Sequence, residues 1–125
     1  MESGKAGCCG GTITMVLPCS GGSNVGQISN EVARRLTVDG KGLMFCLAGL
    51  GGDVEPLLER AKSAECVLVI DGCPVACAKK ILDRHGIAHE WLELTSLGIE
   101  KCPDLELQAD EVATAMDAAE KCLEA

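Results

Sequence analysis

The feature that most constrains the fold of this chain is its most apolar run, residues Cys66–Ile70. A wholly apolar strand fits a parallel sheet that helices cover on both faces. The run ends in an Asp71-Gly72 turn, and Cys73 and Pro74 follow directly. Proline is favoured at the first helical position, because the N–H that it lacks is unpaired there in any helix. We therefore predict a buried strand that leads into a helix beginning at Pro74, with Cys73 as its cap residue.

Strand-like and helix-like stretches alternate along the whole chain. The predicted strands are 12–17, 43–47, 66–70 and 89–94, and the predicted helices are 25–36, 53–63, 74–85 and 109–123. Such alternation favours parallel strands joined by right-handed crossovers. The predicted fold is a single-domain, three-layer α/β/α fold of flavodoxin or Rossmann-like type, with a four-stranded parallel sheet in the order 2-1-3-4. Residues 12–125 would form this domain, and residues 1–11 a flexible tail rich in cysteine and glycine.

The number and setting of the cysteines point to metal or redox chemistry. The chain has nine cysteines, an odd number that fits a disulfide framework poorly. The N-terminus lacks the apolar core of a signal peptide, and no apolar run approaches the roughly 20 residues that a membrane span needs. We therefore expect a cytoplasmic protein that contacts no membrane. Thiols stay reduced in the cytoplasm, which favours metal binding or redox work over disulfides.

The charge of the chain bears on its partners. Nineteen acidic residues against eleven basic ones give a net charge of −8. Such a balance argues against a nucleic-acid partner, whose phosphates need basic side chains. It is compatible with a metal ion as the partner.

Four cysteines lie close to the ends of three predicted strands. The four are Cys19, Cys46, Cys73 and Cys77. Ligand sites of doubly wound sheets lie at the carboxyl ends of the strands, and neighbouring strands are only about 4.8 Å apart. Four converging thiolates are the ligand set of a closed tetrahedral zinc site. The sequence thus predicts one Zn²⁺ at this edge, with Asp71 orienting a ligand or the turn.

The segments that carry these cysteines resemble the DGC-domain family, small prokaryotic proteins described as zinc-binding and named after an Asp-Gly-Cys motif. The segments are Leu17–Gly21, Cys46–Gly49 and Asp71–Cys77. The resemblance covers residues 12–91. It implies that the four metal-binding cysteines of the family correspond to Cys19, Cys46, Cys73 and Cys77, which we call the motif cysteines.

Three other functions stay open from the residues alone. Four thiolates also hold an iron–sulfur cluster. Cys73 and Cys77 could act in thiol–disulfide exchange, although such enzymes usually have two residues between the cysteines and here there are three. The chain could also be an interaction module whose metal only holds loops in place. A four-thiolate zinc site leaves no open position for water, which favours a binding protein over an enzyme.

The remaining chemistry-bearing residues are expected to lie outside the site. Cys66, Cys102 and Cys122 are read as ordinary buried or spare thiols, and Lys79 and Lys80 as solvated helix residues. His85 and His89 are expected on the surface. The tail residues Cys8 and Cys9 could capture a soft metal, but a disordered tail is the simpler interpretation.

Overall fold

The sheet has the predicted strand order. In the computed structural model, which describes residues 13–124, four parallel strands pair in the order β2-β1-β3-β4. The strands are β1 (Thr14–Pro18), β2 (Gly42–Met44), β3 (Val67–Asp71) and β4 (Glu90–Glu93). The predictions for the tail, including Cys8 and Cys9, concern residues outside the described part of the chain.

Helices cover both faces of the sheet. They are α1 (Asn24–Val38), α2 (Leu47–Gly51), α3 (Glu55–Ser63), α4 (Cys77–Arg84) and α5 (Ala109–Glu124), and a 3-10 helix spans Leu94–Leu97. No helix among the described residues has the length and apolar character needed to cross a membrane.

Alternate residues of the central strands supply two separate cores. On one face, Val16 of β1 and Ile70 of β3 pack with apolar residues of α1 and α5. On the other face, Leu17 and Val69 pack with apolar residues of α2, α3 and α4. This division follows from the twofold alternation of side chains along a strand. It confirms the three-layer arrangement and explains the apolar runs Met15–Leu17 in β1 and Val67–Ile70 in β3.

The second strand is shorter than predicted. It ends at Met44, and the short helix α2 follows at Leu47. A Cβ at Gly49 would collide with the Cδ1 of Leu57, so α2 packs so closely against α3 that a larger residue would require the Leu57 side chain to move. Cys46 therefore precedes a helix instead of lying in a strand.

The predicted start of the third predicted helix, which is α4 in the structure, is wrong. Pro74 lies in a turn, which the Ala76 N–H closes by donating to the Cys73 carbonyl at 3.1 Å. Proline is also favoured in the second position of such a turn, so its presence fits both interpretations. Ala76 has a φ of +61°, outside the right-handed helical region. Helix α4 therefore begins at Cys77, and Cys73 is not its cap residue.

Candidate metal centre

Three of the four motif cysteines line one open cavity. The cavity has a volume of about 260 Å³, and Cys19, Cys73 and Cys77 contribute to its wall. It lies where β1 and β3 end, beside the glycine-rich start of α1. This position is the carboxyl edge of the sheet, where doubly wound folds place their ligands.

Hydrogen bonds of its backbone and side chain fix the position of Cys19 in the wall of this cavity. Its backbone N–H donates to the Ile70 carbonyl at 2.9 Å and so extends the pairing of β1 with β3. Its Sγ accepts the Gly72 N–H at 3.4 Å and lies 3.5 Å from Oγ of the fully buried Ser29. These contacts on the backbone and on the sulfur hold the Cys19 side chain in the wall of the cavity.

Lys101 brings a positive charge to Cys73. The Lys101 ammonium donates to the Cys73 Sγ at 3.5 Å. Asn24, which is buried, holds the loop on both sides of this lysine: its side chain donates to the Glu100 carbonyl at 2.8 Å and accepts the Cys102 N–H at 2.7 Å. The backbone N–H of Asn24 also donates to the Cys102 carbonyl. These bonds anchor the loop segment from which Lys101 reaches the cavity.

Sequence reasoning missed Lys101 and discussed only Lys79 and Lys80, which it placed outside the site. Lys79 forms an ion pair with Asp83 at 2.9 Å and lies 5.9 Å from the centre of the Trp91 ring. Lys101 is 28 residues from Cys73 in the chain and lies in a loop without a recognisable pattern. Only the tertiary contact through Asn24 reveals its position.

Cys77 is exposed at the first position of α4, and Asp71 fixes the start of that helix. Asp71 is 1% exposed. Its carboxylate accepts the backbone N–H groups of Ala78 at 2.9 Å and Lys79 at 3.0 Å. The expected role of Asp71 in orienting the turn therefore has a physical basis in the first turn of the helix.

Gly72 lets the turn after β3 lie against the start of α1. A Cβ at this position would lie 2.7 Å from the carbonyl carbon of Val25 and 2.8 Å from the nitrogen of Gly26. Both neighbours are backbone atoms, so a side chain would have to push the two segments apart. The Asp-Gly-Cys sequence thus combines a carboxylate that holds a helix, a residue that permits close approach, and a thiol in the cavity.

Cys46 lies apart from the other motif cysteines. It is exposed and lines a neighbouring cavity of about 350 Å³, whose wall includes Met44 and Phe45. Cys19 contributes to both cavities and so lies between them. Within residues 13–124, no three Cys, His, Asp or Glu side chains lie close enough together to hold a metal ion as they stand. Binding by all four thiols would therefore require Cys19, Cys73 and Cys77 to draw closer together, and the Cys46 loop to move toward Cys19.

The remaining cysteines and both histidines lie outside the two cavities. Cys66 is buried, and Cys102 is exposed. The expectation of exposed histidines is wrong: the His85 side chain is 14% exposed and the His89 side chain 6%. The His85 Nε2 lies 3.1 Å from the Leu50 carbonyl, and the His89 Nδ1 lies 2.8 Å from the Ile87 carbonyl, so both rings bind backbone instead of facing solvent.

Comparisons with known proteins agree with the motif. Residues 15–119 match the family described as DGC domain, so the chain belongs to the DGC-domain family. The Anaerobic and virulence modulator AnvM of Pseudomonas aeruginosa is 42% identical over 90 residues, which cover 71% of this chain and 69% of the relative. No solved structure matches the chain.

Proposed function

We propose that this cysteine-rich protein binds one Zn²⁺ through the four motif cysteines and uses the bound metal for storage or sensing. The observation that carries the proposal is the gathering of three motif cysteines in one cavity at the carboxyl edge of the sheet. Thiols are the donors that zinc prefers in closed sites. Cys46 is the fourth ligand in this proposal. It lines the neighbouring cavity, and Cys19 lines both cavities.

The surroundings of the cavity suit a negatively charged centre. Four thiolates and one Zn²⁺ carry a net charge of about −2, because each thiolate contributes one negative charge. The Lys101 ammonium next to Cys73 offsets part of this charge. The Gly72 N–H directed at the Cys19 Sγ would stabilise another part of the negative charge.

The position of the cavity favours an exchangeable metal over a purely structural one. Both hydrophobic cores lie on the faces of the sheet, and their buried residues include none of the motif cysteines, although Cys73 packs against one core and Cys19 against the other. Cys46 and Cys77 are exposed, so an incoming metal ion or a competing thiol can reach them. Metal binding would close the loops around the cavity, whereas the cores would already hold the fold. A modulator is also what the name of the relative AnvM describes for that protein.

The experiment that tests the proposal is elemental analysis with an absorption spectrum of anaerobically purified protein. We expect about one zinc per chain and no visible absorption, as for a tetrahedral thiolate site. Cys73→Ser should lower the zinc content sharply. Cys122→Ser, in α5 and away from the cavity, is the matched control and should bind as the wild type does.

Each contrary outcome would indicate a different kind of cysteine site. Iron with acid-labile sulfide and a brown colour would replace zinc by an iron–sulfur cluster on the same thiols. Neither metal, together with a cysteine that is alkylated faster than a free thiol, would favour thiol–disulfide chemistry at Cys73 and Cys77. Unchanged zinc in Cys46→Ser would leave three protein ligands and an open position for water.

A further inference from the structure

Asp71 has an unusual set of partners for a residue beside a candidate metal site. Its carboxylate is almost fully buried and accepts three hydrogen bonds. Two come from the backbone of Ala78 and Lys79 in the first turn of α4. The third comes from the indole N–H of Trp91, at 2.9 Å from Oδ2. Both oxygens are therefore engaged, as buried carboxylates require.

Helix α4 depends on Asp71 because its own cap residue provides no side-chain acceptor. Ala76 occupies the cap position in the left-handed conformation and makes no side-chain hydrogen bond. The first N–H groups of a helix have no partner within the helix. Asp71 satisfies two of them from the end of β3 and so joins the strand to the helix. The residue that begins this helix is Cys77.

We propose that Asp71 is a positioning residue for the metal site and not a metal ligand. It sets the place of Cys77 relative to Cys73 and Cys19 by fixing the first turn of α4. The inference rests on the proposed function, because it assigns a role within that same site. Trp91, the single tryptophan of the chain, links Asp71 to the surface, since the residue is 40% exposed. Metal binding that moves Cys77 should therefore change the fluorescence of Trp91.

The test is a titration of the reduced, full-length protein with Co²⁺, which replaces Zn²⁺ and absorbs visible light according to its ligands. Asp71→Asn keeps the size of the side chain but directs an NH₂ group at backbone N–H donors. We expect Asp71→Asn to bind Co²⁺ about tenfold more weakly or worse, as substitutions of residues that orient ligands commonly do. At saturation its spectrum should equal that of the wild type, because the four sulfur ligands are unchanged.

Two further variants accompany this substitution. Asp83→Asn is the matched control, since Asp83 lies in the same helix but is exposed and pairs only with side chains. It should bind Co²⁺ as the wild type does. Trp91→Phe removes one of the three hydrogen bonds to Asp71 and leaves the two helix bonds in place. It should weaken Co²⁺ binding by less than Asp71→Asn does. If Asp71→Asn fails to fold, the Co²⁺ affinity of Trp91→Phe decides the inference.

The results that overturn the inference are specific. A changed Co²⁺ spectrum of saturated Asp71→Asn would make Asp71 a ligand. Equal Co²⁺ affinity of wild type and Asp71→Asn would mean that the start of α4 does not position the metal ligands. If the wild type binds neither Zn²⁺ nor Co²⁺, the proposed function fails. The inference is then decided with phenylarsine oxide, which bridges two neighbouring thiols: weaker binding to Asp71→Asn supports it, and equal binding overturns it.

Discussion

Two helices begin at the thiol-lined cavity, and their first turns are stabilised in different ways. At the start of α1, the Ser23 hydroxyl accepts the Gly26 N–H at 3.1 Å, so the cap and the helix adjoin in the chain. At the start of α4, the acceptor is the Asp71 carboxylate at the end of β3. A local cap forms with its helix, whereas a remote one forms only when strand and helix are already packed. The position of Cys77 is thus a product of the tertiary fold.

The largest effect is expected where the turn after β3 touches the start of α1, at Gly72. Because a Cβ there would lie 2.7 Å from the Val25 carbonyl carbon, Gly72→Ala should lower the free energy of unfolding by about 3 kcal/mol, the upper range for overpacking. Gly22→Ala is the control, since no atom lies within 4 Å of its added Cβ. Urea unfolding measures both. Equal stability of the two variants would show that the turn after β3 does not need this close contact with the start of α1.

Asn24→Ala should have the next largest effect, because this residue joins the start of α1 to the loop that carries Lys101. The loss of two side-chain hydrogen bonds should cost about 1–2 kcal/mol of unfolding free energy. Zinc affinity should fall as well, since Lys101 loses its anchor. Asn30→Ala provides the comparison, because Asn30 accepts only an exposed hydrogen bond from Ser20. If zinc affinity falls equally in both variants, the loop does not depend on Asn24.

Ser23→Ala measures the local cap by itself. Removal of an N-cap hydroxyl commonly costs about 1 kcal/mol, and Asp71→Asn should cost more, because the remote acceptor serves two backbone donors and an indole. Ser63→Ala removes an exposed hydroxyl that donates to the Arg60 carbonyl and should change the stability little. Urea unfolding of the three variants ranks the two caps. A larger loss of unfolding free energy in Ser23→Ala than in Asp71→Asn would mean that the local cap stabilises the protein more than the remote one.

The smallest effect concerns the acid sensitivity of α1. A hydrogen bond from Arg34, aided by Arg35, lowers the pKa of Glu31 from 4.5 to about 2. Because the folded-state pKa is the lower one, this stabilisation is complete above the unfolded pKa and is lost as the pH falls through the folded one. The pair lies near the surface, so the gain should stay below about 1 kcal/mol. Unfolding of Glu31→Gln and wild type should therefore differ at neutral pH and converge in strong acid. A difference that persists in acid would have another source.

The same contrast explains what could be predicted from the sequence. The parallel sheet and its two covered faces follow from apolar runs and from alternation, which are local patterns. The confirmed order 2-1-3-4 is the preferred one among several that this alternation allows. The start of α1 is predicted to within one residue, because the turn residues end in caps adjacent to the helix. The start of α4 is missed because Pro74 suits a turn as well as a helix start, and because Ala76 gives no sign of a left-handed conformation.

The candidate site shows the same limit. Cysteines after strand ends predict that thiols gather at one edge, and Cys19, Cys73 and Cys77 do line one cavity. The separation of Cys46 from the other motif cysteines depends on α2, a helix of five residues that no pattern in the sequence predicts. Lys101 is missed because a loop without periodicity gives no hint of where its side chain points.

The contact between Cys19 and Gly72 has a consequence for folding. The two residues are 53 positions apart in the chain, and the pairing of β1 with β3 that joins them is a long-range event. Such pairings form slowly, because a large loop must close before any contact compensates for the lost entropy. The thiols are therefore separate while the chain is being made or is unfolded. Any metal that needs them together binds only the native state, so a rising metal concentration should raise the midpoint of thermal unfolding.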